Sequence, residues 1–343
     1  MATLRPFCAI RPAKEYAASI AALPYDVYDR VQAKSAVNGN PISFLRVDRA
    51  ETQFPDETDM YSTIVYEKAR DTLSDMLLNG LFIREDKPCH YLYSLTMRGH
   101  TQDGLVGCAS IDDYQNGSIK RHENTLPAKE LDRIHHIDTL SAQTGPIFLA
   151  CRPHGRLREL LTARKRFPAL YDFTSEDGIR HQVWKIEDDK DVKQIALFMD
   201  QIGSLYIADG HHRAASAVKV GLMRRKAHPD YDGTEEFNYF LSVLFMADEL
   251  RIFPYNRMVT GAWHDSPSAL LDKLTDGFYV EPCQNAPGQS DRKAPQGETV
   301  MQGRAQTPSQ KGELTMYLDK SWYRLRARPS LFCGNPVKDL DVS

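Results

Sequence analysis

The sequence predicts an α+β fold in which mixed sheets are packed by helices. Several segments repeat apolar residues at three- and four-residue steps, which is the period of an amphipathic helix. Other short segments are apolar and lie between turn residues, which is typical of strands. The chain has 343 residues, of which 42% are hydrophobic, so it is long enough for about two domains with buried cores.

The predicted elements of the first half follow from these patterns. An apolar stripe from Tyr61 to Leu77 predicts a helix that stops at Gly80. Two strand-like runs, 90–97 and 105–111, predict a hairpin that turns at 101–104. The other elements predicted before residue 188 are an extended piece at 7–11, a turn at 23–26, a helix at 128–141, a strand at 147–151, a helix at 157–166 and a hairpin turning at 176–178.

The second half contains a strand at 205–208, a polar cluster and then a helix of small residues at 214–220. Residues 284–312 hold six Gln, four Gly and three Pro, which predicts a flexible polar insertion. The other predicted elements are a helix from Asp188 to Gly203, strands at 240–246 and 278–280, a helix at 266–275 and hairpin strands at 314–318 and 322–325. We expect a catalytic region at 1–260 and a smaller α+β region at 261–343.

The composition disfavours several classes of partner. Lys and Arg number 43, Asp and Glu 46, and the net charge is -3, so no strong basic field is available to hold nucleic acid by counterion release. No stretch approaches ~18 uninterrupted apolar residues, and the first residues lack the apolar run of a signal peptide. We therefore expect a cytoplasmic protein with no membrane partner; its oligomeric state is not indicated. The cysteines are scattered, as expected for reduced thiols: Cys8, Cys89, Cys108, Cys151, Cys283 and Cys333.

The sharpest candidate site is the run Ile207-Ala208-Asp209-Gly210-His211-His212-Arg213. A strand ends in a carboxylate, the glycine allows a tight turn, and the helix that follows presents amino-terminal amides that bind anions. Arg213 is suited to hold two phosphate oxygens, and His211 and His212 can donate hydrogen bonds. Asp209 can accept a proton or hold a divalent cation. The run therefore predicts a phosphate site.

A structural alternative exists for the same run, in which Asp209 caps the helix and the histidines pair with neighbouring backbone. Four polar residues packed around one glycine at a strand end favour the functional interpretation. A zinc site is disfavoured, because adjacent histidines cannot both face one metal and no third ligand is evident.

A second cluster surrounds Glu123. Arg121 and His122 precede this isolated carboxylate, and a predicted helix then places Lys129 and Arg133 one turn apart, where they are able to share an anion. Phosphoryl transfer requires positive charge around the phosphate oxygens and a carboxylate that orients the attacking hydroxyl. Glu123 is the best candidate for that carboxylate. The alternative is an ordinary helix start with solvated charges.

Two further histidines, His135 and His136, fall on the same predicted helix. We expect them on its exposed or half-exposed side, with a structural role.

Four motifs resemble, in order, a widespread prokaryotic family of SerK-like proteins that long carried only a domain-of-unknown-function label. The motifs lie at 22–27 (Ala-Leu-Pro-Tyr-Asp-Val), 121–125 (Arg-His-Glu-Asn-Thr), 144–148 (Thr-Gly-Pro-Ile-Phe) and 207–213, which contains Asp-Gly-His-His-Arg. That family is placed in the ParB/sulfiredoxin-like superfamily, and its characterised relatives phosphorylate free L-serine with ADP, ATP or pyrophosphate. The resemblance implies a ParB/sulfiredoxin-like fold and the product O-phospho-L-serine.

Carried over to these positions, the resemblance makes 209–213, which includes Gly210, part of the phosphate-donor site. It places Glu123 near the serine hydroxyl, with Arg121 and His122 on phosphate, and it implies Mg²⁺ with the donor. Sulfiredoxins carry a reactive cysteine in the corresponding loop, whereas this chain has Asp209, so sulfinic acid reduction is not expected. Members also continue for several dozen residues beyond the segment 335–337, so the resemblance implies that this chain is shortened at its C-terminus.

A competing hypothesis is a nucleotide-binding switch of the ParB type, which binds CTP or ATP and changes partners without turnover of a small molecule. The low net charge argues against DNA binding by such a protein but does not bear on nucleotide-gated protein binding. The third possibility is a family member that keeps the fold and has lost the activity.

Overall fold

The computed structural model describes residues 2–251, 253, 256–259, 266–283, 308, 310 and 312–332. The chain divides into two compact units, 1–250 and 251–343, and the boundary expected from the sequence, after residue 260, lies inside the second. In the described residues, no helix is long and apolar enough to cross a membrane. The expected insertion at 284–312 lies almost entirely outside the described residues.

Helices and strands alternate irregularly along the first unit, and the described residues of the second unit contain a short helix and three strands. The α-helices are α1 (Ala17–Ile20), α2 (Arg30–Val37), α3 (Leu45–Asp48), α4 (Thr63–Leu78), α5 (Ile111–Gln115), α6 (Pro127–Leu140), α7 (Gly155–Arg164), α8 (Asp189–Ile202), α9 (His211–Ala227) and α10 (Pro267–Leu274). The strands are β1 (Leu4–Arg5), β2 (Ile10–Pro12), β3 (Phe82–Arg84), β4 (His90–Met97), β5 (His100–Ser110), β6 (Ile119–Lys120), β7 (Ile147–Cys151), β8 (Tyr171–Thr174), β9 (Arg180–Ile186), β10 (Leu205–Asp209), β11 (Tyr239–Met246), β12 (Phe278–Pro282), β13 (Glu313–Leu318) and β14 (Ser321–Ala327). Short 3-10 turns lie at Lys14–Tyr16, Tyr25–Val27, Ala50–Gln53, Glu236–Asn238, Ala247–Glu249 and Pro329–Leu331.

A mixed sheet of nine strands organises the first unit. Eight of its strands follow the order β6-β10-β7-β11-β5-β4-β9-β8, and β1 pairs with β5. The pairs β10–β6 and β11–β7 are parallel, whereas the other pairs of this sheet are antiparallel. Separately, β2 pairs with β3, and the second unit holds the antiparallel sheet β12-β14-β13. This architecture confirms the predicted α+β class.

Four clusters of buried hydrophobic residues lie in the first unit, and two of them are large. The main core buries one face of the large sheet against helices α5, α7, α8 and α9, with Phe240, Leu149 and Leu205 among its fully buried residues. The second core joins α3 and α4 through Val47 and Ala69. Helix α6 packs on both α9 and α4, so it spans the space between the sheet and the amino-terminal helices.

The helices predicted near 61–77, 128–141 and 188–203 are confirmed by α4, α6 and α8. The helix predicted at 214–220 is longer and begins at His211, so His211, His212 and Arg213 of the polar cluster form its first turn.

The predicted position of the first hairpin turn, 101–104, is wrong. Arg98 and Gly99 make the turn, both with positive φ, as in the two-residue hairpins that match strand twist. Gly104 resembles a turn residue in the sequence but lies inside β5. A Cβ there would sit 2.6 Å from Val243 Cγ2 and 2.7 Å from Phe245 Cζ, so this glycine makes room for the side chains of the neighbouring strand.

Candidate functional site

A cleft of about 440 Å³ lies where α6 and the start of α9 meet the amino-terminal helices. Residues from three of the four sequence motifs line it. Its lining is Tyr25, Asp26, Asp48, Arg49, Ala50, Glu51, Met60, Tyr61, Val65, Tyr66, Ala69, Glu123, Lys129, Asp132, Arg133, His136, Asp209, Gly210, His211, His212 and Arg213. The fold therefore brings together the sequence-predicted residues Glu123, Lys129, Arg133 and 209–213.

The start of α9 is open towards this cleft. Gly210 adopts φ +89° and ψ 33°, and no side chain caps the helix. Only glycine adopts this left-handed backbone at little cost. The first amides of a 17-residue helix are left without intrahelical partners and carry partial positive charge, as at known phosphate sites.

A bulge in β10 directs Asp209 towards the cleft. The pairing of β10 with β7 shifts between Ile207 and Asp209. Residues two apart on a regular strand share a face, so without the shift Asp209 would follow Ile207 into the core. Instead its side chain is 67% exposed and accepts a hydrogen bond from Arg213 Nη2 at 2.5 Å. Bulges of this kind often re-aim a side chain beside an active site.

Arg213 is fixed in place by two acceptors. Besides Asp209, its Nη1 donates to the Pro146 carbonyl at 2.6 Å. A Cβ at position 210 would lie 3.1 Å from Arg213 Nε, so the guanidinium passes directly over the glycine. The motif at 144–148 thus meets the motif at 207–213 through this arginine.

His211 and Glu123 form the second part of the site. The His211 side chain is only 4% exposed, and its Nδ1 lies 3.5 Å from Glu123 Oε2. The His122 ring lies edge-on to it at 4.5 Å between centroids. Burial, with His122 adding to it, lowers the pKa of His211, so the imidazole is neutral at pH 7 and its Nδ1 faces the carboxylate.

His212 points to the other helix. Its Nε2 accepts a hydrogen bond from the Leu126 backbone amide at 3.0 Å, immediately before Pro127 begins α6. This contact ties the starts of α6 and α9 together and uses one of the two ring nitrogens of His212. Since Nε2 accepts in this bond, Nδ1 is the ring nitrogen that is able to donate.

The basic residues of the cluster around Glu123 have different environments in the structure. Arg133 is buried, donates to Asp132 Oδ2 at 2.7 Å and stacks on the Tyr25 ring at 4.0 Å. It is therefore not free to share an anion with Lys129, which is exposed at the cleft. Arg121 lies outside the cleft lining, where its guanidinium packs on Tyr114.

The expectation that His135 and His136 both lie on the exposed or half-exposed side of α6 is wrong for His136. Its side chain is buried, and its Nε2 contacts the Val47 carbonyl at 3.1 Å, whereas His135 is exposed. Helix α6 has neighbours on two sides, so its buried face is wider than a single apolar stripe suggests.

Several lining residues were not singled out by the sequence analysis. Arg49 and Glu51 form a buried ion pair at 2.6 Å, and Arg49 Nη1 also donates to the Tyr25 carbonyl at 2.9 Å. This pair holds the motif at 22–27 against the cleft. Asp48 accepts from Thr144 Oγ1 at 2.5 Å. The motif at 22–27 was the available signal: it predicts a turn and belongs to the family resemblance, but its sequence alone does not place it beside the other motifs.

The described residues include no group of three His, Cys, Asp or Glu that could hold a metal ion by itself. Mg²⁺ usually requires less, because it takes one or two carboxylates together with phosphate oxygens and waters. Asp209, exposed at the cleft, fits that smaller requirement.

Comparison with known proteins gives one family. No curated protein and no solved structure matches the chain significantly. The model of a family described as "Protein of unknown function (DUF1015)" matches residues 4–343, which is nearly the whole chain, and the protein therefore belongs to that family.

Proposed function

We propose that this protein is a phosphotransferase that phosphorylates the hydroxyl of free L-serine, with ADP, ATP or pyrophosphate as donor. The observation that carries the proposal is the uncapped start of α9, which opens into one cleft with Arg213 on one side and Glu123 on the other. The strand-turn-helix passage at 205–213 belongs to an α+β unit with a mixed sheet. This passage is also consistent with the ParB/sulfiredoxin-like fold that we propose.

The terminal phosphate of the donor would lie on the first amides of α9. Backbone amides and the helix dipole favour a multiply charged anion there. Arg213 would contribute a guanidinium held in one orientation by Asp209 and Pro146. Lys129, exposed at the cleft, would add a mobile positive charge. Groups fixed before the reaction stabilise developing charge without reorganisation.

Glu123 is the better of the two candidate bases. Asp209 already accepts a hydrogen bond from Arg213, which makes its carboxylate a positioning group for that arginine. Glu123 is 58% exposed, with the neutral His211 ring 3.5 Å away to orient it. In the proposed step, a bond forms between the serine Oγ and the terminal phosphorus, the bridging P–O bond of the donor breaks, and Glu123 takes the serine proton. Mg²⁺ bound with the donor supplies charge neutralisation on the phosphate oxygens.

The test is incubation of the protein with Mg²⁺, L-serine and each donor in turn, followed by mass spectrometry for O-phosphoserine. D-serine and L-alanine serve as acceptor controls. We expect phosphoserine only with L-serine and at least one donor. Nucleotide binding by the folded protein without product would contradict the proposal and favour the nucleotide-binding switch.

A further inference from the structure

A second compartment, of about 390 Å³, adjoins the cleft on the side of the sheet opposite the main core. Its floor is formed by side chains of β4, β7 and β11, namely Tyr93, Leu95, Phe148, Val243 and Phe245. Their strand neighbours Leu92, Leu149 and Leu244 point to the other face and belong to the main core. These strands are therefore apolar on both faces, and the second face lines a space of the size that small ligands occupy, about 300–1,000 Å³.

The two compartments share one wall. Arg213, Asp209 and Arg133 line both of them. Gly210, His211 and Glu123 line the first compartment only. A phosphate held at the start of α9 therefore has the apolar space as its neighbour across Arg213. A ligand that is anionic at one end and apolar at the other fits this arrangement.

The apolar compartment also offers groups that recognise a flat, polar-edged ring. The rings of Phe148 and Phe245 meet at 4.8 Å and 60°, so they present faces at different angles for stacking. The side-chain amide of Gln102 lines the space and has no hydrogen-bond partner elsewhere in the described chain. Amides of this kind pair with the donor and acceptor edges of heteroaromatic rings.

We infer that this second compartment binds the nucleobase of a nucleoside di- or triphosphate whose phosphates lie at the start of α9. The inference rests on the proposed function and decides its donor, because pyrophosphate would leave the compartment empty. The acceptor cannot be its occupant, since the attacking hydroxyl must reach Glu123, which lines only the first compartment. Serine also has no apolar portion that would use the space.

The test is Leu95→Trp, which fills the compartment from a half-buried strand position where an aromatic residue is tolerated. The matched control is Thr96→Trp, which adds the same ring on the opposite face of β4. Calorimetry with Mg²⁺ measures the dissociation constants of ADP and of inorganic pyrophosphate for the wild type and both variants. We expect tighter binding of ADP than of pyrophosphate by the wild type. Leu95→Trp should weaken ADP at least tenfold and leave pyrophosphate within twofold, and the control should change neither.

The inference is overturned if the wild type binds pyrophosphate as tightly as ADP, or if Leu95→Trp weakens both ligands equally or neither. Turnover distinguishes this failure from failure of the proposed function. If pyrophosphate yields phosphoserine as well as ADP does, and Leu95→Trp does not change this, the nucleobase site is rejected and the proposed kinase activity is supported. If Leu95→Trp weakens ADP but not pyrophosphate, and no donor yields phosphoserine, the nucleobase site is supported and the proposed kinase activity is rejected.

Discussion

At the residue scale, the site depends on a few backbone and side-chain positions that constrain one another. Gly210 turns the chain from β10 into α9, and Arg213 lies over it. Asp209 reaches Arg213 only because β10 is bulged at this point. His211 stands between Glu123 and the buried side of the helix. Changes here should affect chemistry more than folding.

Gly210→Ala is predicted to abolish phosphoserine formation although it lowers the free energy of unfolding only moderately. The substitution forces an alanine to φ +89° and places a Cβ against the Arg213 guanidinium. The control is Gly178→Ala, since Gly178 has φ +78° with nothing within 4 Å of a Cβ. Each variant should lose about 1–2 kcal/mol of unfolding free energy in urea, and only Gly210→Ala should lose phosphoserine formation. Equal activity of the two variants would show that the position of the Arg213 guanidinium over residue 210 does not matter for the reaction.

Glu123→Gln is predicted to slow turnover about 10²–10⁴-fold, the usual contribution of a general base, while donor binding stays unchanged. Kinetics at saturating serine and calorimetry with the donor measure the two quantities. Glu176→Gln, in an exposed hairpin turn, is the matched control and should match the wild type. A Glu123→Gln enzyme of full activity would exclude the proposed base.

At the element scale, the cleft exists because α6 and α9 start side by side. Glu130 on α6 is buried and accepts hydrogen bonds from Lys219 of α9 and from Thr125. Although burial alone would raise its pKa, these two donors hold the pKa of Glu130 below its usual value. Ser216 of α9 donates to the Glu130 carbonyl at 3.1 Å. The same residue therefore joins both helices through side chain and backbone.

Glu130→Ala is predicted to lower the free energy of unfolding by about 1–3 kcal/mol, because Thr125 and Lys219 lose their buried acceptor. Urea denaturation measures the change. Glu159→Ala, an exposed glutamate on α7, should change stability by less than about 0.5 kcal/mol. A neutral Glu130→Ala variant would show that the packing of α6 on α9 does not depend on this carboxylate.

His90, at the start of β4 beside β5, makes the stability of the fold depend on pH. Burial lowers the pKa of His90 from its usual 6.5 to about 4. Between these two values the unfolded chain binds the proton and the folded chain does not. Stability from this residue is therefore complete above pH 6.5 and is lost as the pH falls towards 4, by about 3 kcal/mol.

His90→Gln is predicted to flatten the acid side of the stability curve, since glutamine does not titrate. Urea midpoints measured from pH 7 to 4 for the wild type and for His90→Gln give the difference. The free energy of unfolding of the wild type should fall by about 3 kcal/mol relative to that of His90→Gln as the pH falls from 7 to 4. Parallel curves would mean that His90 is not buried in its neutral form.

At the scale of the whole molecule, the class of fold and most long elements follow from the sequence. The periods of α4 and α8 are strong because each helix has one clear apolar face. The hairpin turn was misplaced because Gly104, in a sequence typical of a turn, serves a packing contact with Phe245 on another strand. Contacts between distant strands leave no local signal.

The candidate site was predictable as a set of motifs but not as a geometry. The start of α9 and its glycine were visible in the sequence. The pairing of Arg133 with Asp132, and the position of Arg121 away from the cleft, depend on tertiary packing. Likewise, the second compartment is built by alternate residues of three strands distant in the chain, which no single segment reveals.

Phosphorus NMR of the wild type and of Arg213→Ala, with Mg²⁺, L-serine and a donor, tests the central claim most directly. The control is Arg180→Ala, which removes another ion-paired arginine far along the sheet. We predict a growing phosphoserine resonance for the wild type and for Arg180→Ala, and at least a 100-fold slower signal for Arg213→Ala at an almost unchanged melting temperature. No phosphoserine from the folded wild type, or undiminished turnover by Arg213→Ala, would contradict the account.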